Sequence, residues 1–382
     1  MSTLIRRGDR GPAVAEVRAR LARLGLLPGS RVAEQESGRD RLRSGPLERV
    51  TEPADWETTQ LISADFDDAV EFAVRRFQQE RGITVDGIVG PETFRRLEEA
   101  RWQLGDRVLS LNPNHPTIGE DVLQLQNRLN AMGFSCGRED GEFGPFTDKA
   151  LRDFQHNVGL KVDGVCGPAT FRGFGQLRRT VGGNESSHSV RERASLQQLR
   201  TGVQGKIVVL DPAVLQLESI VECTAISRDI AARIQRRLGP QGARTTTTRP
   251  TVLTDDSEVE RARFCNELEA DLVLSIALFS LTDQSHGISA YHYGRDSSSL
   301  SVPGQMLAGL ILDGLSQSIP NVSSEPGART WDILRRTRMP TVRLVCGNIA
   351  DPRDREQLSD PAVLDTIADS VADAVVDFFS PT

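Results

Sequence analysis

The apolar positions of this chain change period partway along its length. In the first half they recur at helical spacing: Val14, Val17 and Leu21 fall at i, i+3 and i+7, and Ala73 and Phe77 at i, i+4. Beyond residue 205 short apolar runs take over. Lys206–Leu210, Leu272–Ile276, Thr341–Val345 and the β-branched Thr245–Thr248 read as strands, the last as a buried one. Between and after them, Ile226–Leu238, Arg261–Leu268 and Pro361–Phe379 keep helical spacing. Strands alternating with helices predict an α/β fold with a mostly parallel sheet flanked by helices.

The helical half contains one unit twice. Gly11-Pro-Ala-Val14-Ala-Glu-Val17-Arg-Ala-Arg-Leu21 returns as Gly119-Glu-Asp-Val122-Leu-Gln-Leu125-Gln-Asn-Arg-Leu129, 108 residues on. Ala73-Val-Arg-Arg-Phe77-Gln78 returns as Ala150-Leu-Arg-Asp-Phe154-Gln155, and Val85-Asp86-Gly87-Ile-Val-Gly90-Pro91-Glu-Thr93 as Val162-Asp163-Gly164-Val-Cys-Gly167-Pro168-Ala-Thr170, both 77 residues on. The difference of 31 residues is an insertion in the first copy, an expected mobile loop over about 27–65 rich in Arg, Glu, Ser and Pro. Each copy parses as three helices, with Asp-Gly-x-x-Gly-Pro a tight turn opening the last one. The expected domains are 1–104 and 105–180 for the repeats, packed as a pair, 181–204 for a polar linker, and 205–382 for the α/β part.

Charge and cysteine usage narrow the setting. A net charge of −7 argues against nucleic acid or an anionic membrane surface as the main partner. No apolar core follows the arginines of Met1-Ser-Thr-Leu-Ile-Arg-Arg, and no stretch reaches the roughly 20 apolar residues of a membrane span. Cys136, Cys166, Cys223, Cys265 and Cys346 are scattered and never spaced C-x-x-C. They read as free thiols, and a reducing cytoplasm is the expected location.

The repeated pattern L-Q-x-x-L-x-x-x-G, A-x-x-x-F-Q and V-D-G-x-x-G-P-x-T resembles the peptidoglycan-binding type 1 domain over about 8–100 and 115–175. Repeat 1 departs from it at Val14-Ala-Glu-Val17 and lacks the turn that repeat 2 carries as Asp140-Gly141-Glu-Phe143-Gly144-Pro-Phe-Thr147. From about 205 to 380 the order of short motifs resembles the zinc-dependent N-acetylmuramoyl-L-alanine amidases of type 3. The pieces are Ile207-Val-Val-Leu-Asp211-Pro212, Glu222, Thr248-Arg249-Pro250, Arg261, Asn266, Ala270-Asp271-Leu-Val-Leu-Ser275-Ile276, Gly287-Ile-Ser-Ala-Tyr291 and Arg338-Met-Pro-Thr341-Val342.

The resemblance implies a zinc held by three protein ligands, a metal-bound water and a glutamate base. Carried over position by position, the first histidine ligand falls on Val214, the glutamate ligand on Glu222, the second histidine on Ala277 and the base on Val345. Valine and alanine offer a metal no lone pair. Cys346 should point away from Val345 along a strand, and Cys223 is turned about 100° from Glu222 on a helix. His286 and His292 read as surface or capping residues, and Glu222 as an acid favoured near a helix N-terminus. No catalytic residue, metal or cofactor is therefore expected.

This layout is similar to the CwlM-type regulators of actinobacteria. The similarity implies a cytoplasmic pseudoenzyme that binds and activates the MurA-type enolpyruvyl transferase of peptidoglycan precursor synthesis. It further implies control by a Ser/Thr protein kinase and a phosphothreonine-reading protein, with Ser380 and Thr382 as candidate phosphorylation sites. Two other functions stay open: an active cell-wall hydrolase, and a passive module that binds peptidoglycan or its precursors.

Overall fold

The computed structural model describes residues 4–27, 65–112, 116–177, 196–197, 199–213, 220–248, 257–279, 286–296 and 299–381. The expected mobile loop, most of the polar linker, Val214 and Thr382 lie outside the described residues. The chain divides into two compact units, Met1–Trp102 and Gln103–Thr382. Repeat 1 forms the first. Repeat 2 falls in the second with the α/β domain.

Repeat 1 has helices α1 (Pro12–Arg23), α2 (Asp68–Arg81) and α3 (Pro91–Glu99). Repeat 2 has α4 (Glu120–Ala131), α5 (Pro145–Asn157) and α6 (Pro168–Leu177). Proline near the N-terminus opens four of the six, where its missing N–H costs nothing. A buried glutamine fixes each Asp-Gly turn. Gln78 Nε2 donates to Asp86 Oδ1 at 2.7 Å while its Oε1 accepts from Gly87 N at 2.9 Å. Gln155 does the same with Asp163 and Gly164 at 2.9 and 2.9 Å, and Gln126 with Asp140 and Gly141 at 2.8 and 2.8 Å. The three glycines have φ of +75°, +69° and +74°, backbone that a Cβ would strain. In repeat 1 the position of Gln126 is held by Arg18, which donates to Asp65 O and Asp67 Oδ2 at 2.9 Å each.

The α/β domain runs β1 (Ile207–Pro212), α7 (Ile220–Leu238), β2 (Arg244–Thr247), α8 (Glu258–Glu267), β3 (Leu272–Phe279), β4 (Ser289–Asp296), β5 (Ser299–Leu300), α9 (Val302–Ser316), β6 (Gly327–Arg329), α10 (Asp332–Arg336), β7 (Thr341–Asn348), α11 (Pro352–Ser359) and α12 (Pro361–Phe379). The seven-stranded sheet has the order β2-β1-β3-β7-β4-β5, with β6 also on β4. The first four strands are parallel, and β4 runs antiparallel to β7. β3 and β7 are buried along their whole length, as central parallel strands covered on both faces must be. The main core packs α7, α9 and α12 on one face, with Ile230, Leu307, Ile311, Val371 and Phe378 against Leu274, Leu344 and Cys346. A smaller cluster of Val209, Cys265, Ala270, Val273 and Met339 covers the other face beneath α8.

Three expectations change. Thr245–Thr247 lie on edge strand β2 and are half-exposed, because nothing pairs beyond them. The end of the linker is anchored where it is described: Leu196, Leu199 and Val203 pack on the main core, and Gly202 N donates to Phe379 O at 2.8 Å. His292 is buried inside β4 opposite Val342, with Nδ1 2.8 Å from Tyr293 O, whereas His286 is exposed.

Repeat 2 is fastened to the α/β domain through the turn region of residues 137–147. Arg138 Nη1 donates to Leu334 O and Thr337 O at 2.8 and 2.7 Å, at the C-terminal end of α10, where helix carbonyls lack partners and a cation is favoured. Its Nη2 reaches Ser301 Oγ, the N-cap of α9, at 3.3 Å, and its guanidinium stacks 5.1 Å from the Tyr293 ring centre. Tyr293 returns a hydroxyl bond to Glu139 O at 3.0 Å, and Arg336 pairs with Glu142 at 3.0 Å.

Candidate functional site

Two of the positions that the family resemblance assigns to zinc chemistry lie toward the C-terminal ends of β3 and β7. Ala277 and Val345 are register partners on these adjacent strands. Both are fully buried, at 0% and 1% exposure, so hydrocarbon fills this part of the sheet. Glu222 does stand in the first turn of α7, as expected of an acid at a helix N-terminus. It is exposed and its Oε2 lies 3.2 Å from Arg355 Nη2 of α11. Cys223 beside it faces the main core, and so does Cys346. Val214 lies outside the described residues.

A catalytic zinc needs three lone-pair donors and an open position. Ala277 and Val345 supply no donor, Val214 has none to supply, and Glu222 already has a guanidinium partner. Among the described residues no three of His, Cys, Asp and Glu gather as a metal would require. Among the described residues, Ala277 and Val345 offer a zinc ion no donor.

One row further back along the same strands lies a buried polar network. Asp211, Ser275 and Arg343 are consecutive register partners on β1, β3 and β7. Asp211 Oδ1 accepts from Arg261 Nε at 2.7 Å and Thr248 Oγ1 at 2.6 Å, and Oδ2 accepts from Ser275 Oγ at 2.7 Å. Arg343 donates from Nε to Ser275 Oγ at 3.2 Å and from Nη2 to Glu258 Oε1 at 2.5 Å, with its guanidinium 4.8 Å from the Trp331 ring centre. Burial alone would raise the Asp211 carboxyl, but the Arg261 charge and the Thr248 and Ser275 bonds outweigh it and hold the group below the ordinary range. The buried Asp211 and the partly buried Glu258 balance the two guanidiniums. The network is built for rigidity, with no exposed base or nucleophile.

Sequence reasoning placed Asp211, Thr248, Arg261 and Ser275 among family motifs without seeing that they bond to one another. It passed over Arg343, Glu258 and Trp331. The signal was an arginine at an inward position of the otherwise apolar Thr341–Val345 strand, which demands a buried partner. Ser380, a candidate phosphorylation site, is half-buried: its hydroxyl donates to Val376 O at 2.8 Å and its carbonyl accepts from Arg200 Nε at 3.0 Å.

Fold and motif positions together define an amidase-type α/β domain carrying small helical repeats. Residues 56–97 and 118–172 match the peptidoglycan binding domain family, and residues 218–377 match the N-acetylmuramoyl-L-alanine amidase family. The chain is 36% identical over 381 residues to the N-acetylmuramoyl-L-alanine amidase CwlM of Mycobacterium tuberculosis, covering 97% of this chain and 88% of that protein. The spore cortex-lytic enzyme of Oceanobacillus iheyensis is 49% identical over 53 residues, 14% of this chain and 19% of that enzyme. The crystal structure of the amidase Ami1 from Mycobacterium smegmatis aligns with 47% of this chain and 99% of its own at 20% identity and a TM-score of 0.41. The chain belongs to the N-acetylmuramoyl-L-alanine amidase family, as a homologue of CwlM. Among the described residues no helix is long and apolar enough to cross a membrane.

Proposed function

We propose that this chain is a non-hydrolysing amidase homologue that works by binding, as a cytoplasmic regulator of peptidoglycan precursor synthesis. One observation carries the first half of that reading: Ala277 and Val345 pair as buried hydrocarbon where a ligand and a base belong. A fold without turnover chemistry still presents a rigid surface, and linked modules can engage a partner at two places with a gain in effective concentration. The partner we infer from the similarity to CwlM-type regulators is the MurA-type enolpyruvyl transferase. Control by a Ser/Thr kinase and a phosphothreonine-reading protein follows from the same similarity. Five free, buried cysteines suit a reducing compartment.

The test is a phosphate-release assay of the transferase with and without this chain, before and after kinase treatment. Stimulation in either state is expected. No stimulation in both, together with no co-purification of the two proteins, removes the regulator reading. A second reading, residual amidase activity, draws on the retained Glu222 and on the likeness to the amidase CwlM. It requires zinc-dependent release of peptide from muropeptides that disappears in Glu222→Gln.

A further inference from the structure

The fastening of repeat 2 to the α/β domain leaves a cleft of about 590 Å³ between them. That lies within the roughly 300–1,000 Å³ of small-molecule sites, which favour domain interfaces. One wall is the repeat 2 turn region, and the other is the Arg335–Pro340 segment that leads from α10 into β7. Both walls are fixed without a ligand, by the Arg138 bonds to Leu334 O and Thr337 O and by the Arg336–Glu142 pair.

Four arginines line this cleft, and three are spent on the protein. Arg138 binds the carbonyls just named, while Arg335 and Arg336 both reach Asp332, at 3.0 and 3.2 Å. Arg338 differs. Its backbone N–H is held by Asn266 Oδ1 at 2.9 Å, which aims the exposed side chain, and the guanidinium lies 5.6 Å from the ring centre of Phe146. No carboxylate among the described residues pairs with it. Phe146 comes from the other wall and is 55% exposed, a large apolar ring left in water at the mouth of the cleft. An unneutralised guanidinium stacked on an exposed aromatic ring, each from a different domain, provides charge and apolar area side by side.

We propose that this cleft binds a small anion carried on an apolar or aromatic body, a phosphate or carboxylate monoanion or dianion, with Arg338 pairing the charge and Phe146 covering the body. The site exists only while repeat 2 is docked, so a ligand spanning both walls stabilises the docking by the same free energy with which it binds. The proposal goes beyond the regulatory reading and stands whether or not the transferase binds.

Titration calorimetry on the full chain tests it, with phenyl phosphate, benzoate and inorganic phosphate as probes. Saturable binding of at least one aromatic anion is expected, with inorganic phosphate weaker for want of a body. A preference for phenyl phosphate identifies a phosphate ligand, and a preference for benzoate a carboxylate. Arg338→Ala and Phe146→Ala alter exposed side chains and keep the fold, checked by an unchanged melting temperature. Each should weaken binding about tenfold or more, and Arg338→Lys should weaken it less. No saturable binding of either aromatic anion, or the same affinity in both alanine variants, overturns the proposal.

Discussion

Ala277 and Val345 face one another across the parallel strands β3 and β7, each fully buried. A metal ligand and a base could occupy these places only in an open, polar site. Ala277→His and Val345→Glu, made singly, should therefore destabilise the α/β domain by roughly 2–4 kcal/mol, from overpacking in the first and an unpaired buried acid in the second. Urea unfolding measures this. Variants as stable as the parent would mean that the strand ends are more open than the packing indicates.

Glu222 and Arg355 form an exposed pair, and exposed pairs contribute little. Glu222→Gln should change unfolding free energy by less than about 1 kcal/mol. A larger loss would show that Glu222 is a structural residue.

Arg138 is the main fastening between repeat 2 and the α/β domain. Arg138→Ala leaves the Leu334 and Thr337 carbonyls without their charged donor and should cost roughly 2–4 kcal/mol. Hydrogen exchange should rise together in residues 137–147 and 332–340. Exchange confined to repeat 2 would contradict the mutual dependence of the two.

The buried network gives a pH dependence. The Asp211 carboxyl is held below its ordinary range in the folded state. Its contribution is fully present above the unfolded value of about 3.9 and is lost as pH falls below that toward the lowered folded value. Asp211→Asn should cost roughly 3–5 kcal/mol at neutral pH, since Arg261 loses its buried partner. The gap between parent and variant should narrow as pH drops below about 4. A gap independent of pH would show that the carboxyl is not ionised in the fold.

Burial raises every thiol in the chain, Cys223 to about 11 and Cys166, Cys265 and Cys346 to about 12, while Cys136 is raised by burial and by Glu139 and Asp140. Folded protein at neutral pH should resist iodoacetamide, and all five cysteines should react in denaturant. Rapid labelling of one thiol in the fold would mark a local opening around it.

Much of this was legible in the sequence because periodicity and turn chemistry are local. The three-helix repeats, the Asp-Gly turns and strands β1, β3 and β7 could be read from residues close together in the chain. Hydrocarbon at 277 and 345 was read directly, since a side chain's donor atoms are known from its identity. Helix α9, rich in leucine and glycine, and the short β5, β6 and α10 went unread, because their order depends on packing against β4 and β7. The docking of repeat 2 was hidden too. Arg138 resembles any loop arginine until the fold brings it to carbonyls almost 200 residues away. Gln126 and Gln155 were visible as motif letters, but their role in bridging a turn appears only in three dimensions.

In the function proposed above, this amidase homologue binds and does not hydrolyse. The most direct measurement incubates the purified chain with zinc and defined muropeptides, quantifying bound metal and released peptide on the same sample. No stoichiometric zinc and no peptide release are expected from the parent chain. One zinc per chain with peptide release, both lost in Glu222→Gln, would contradict it.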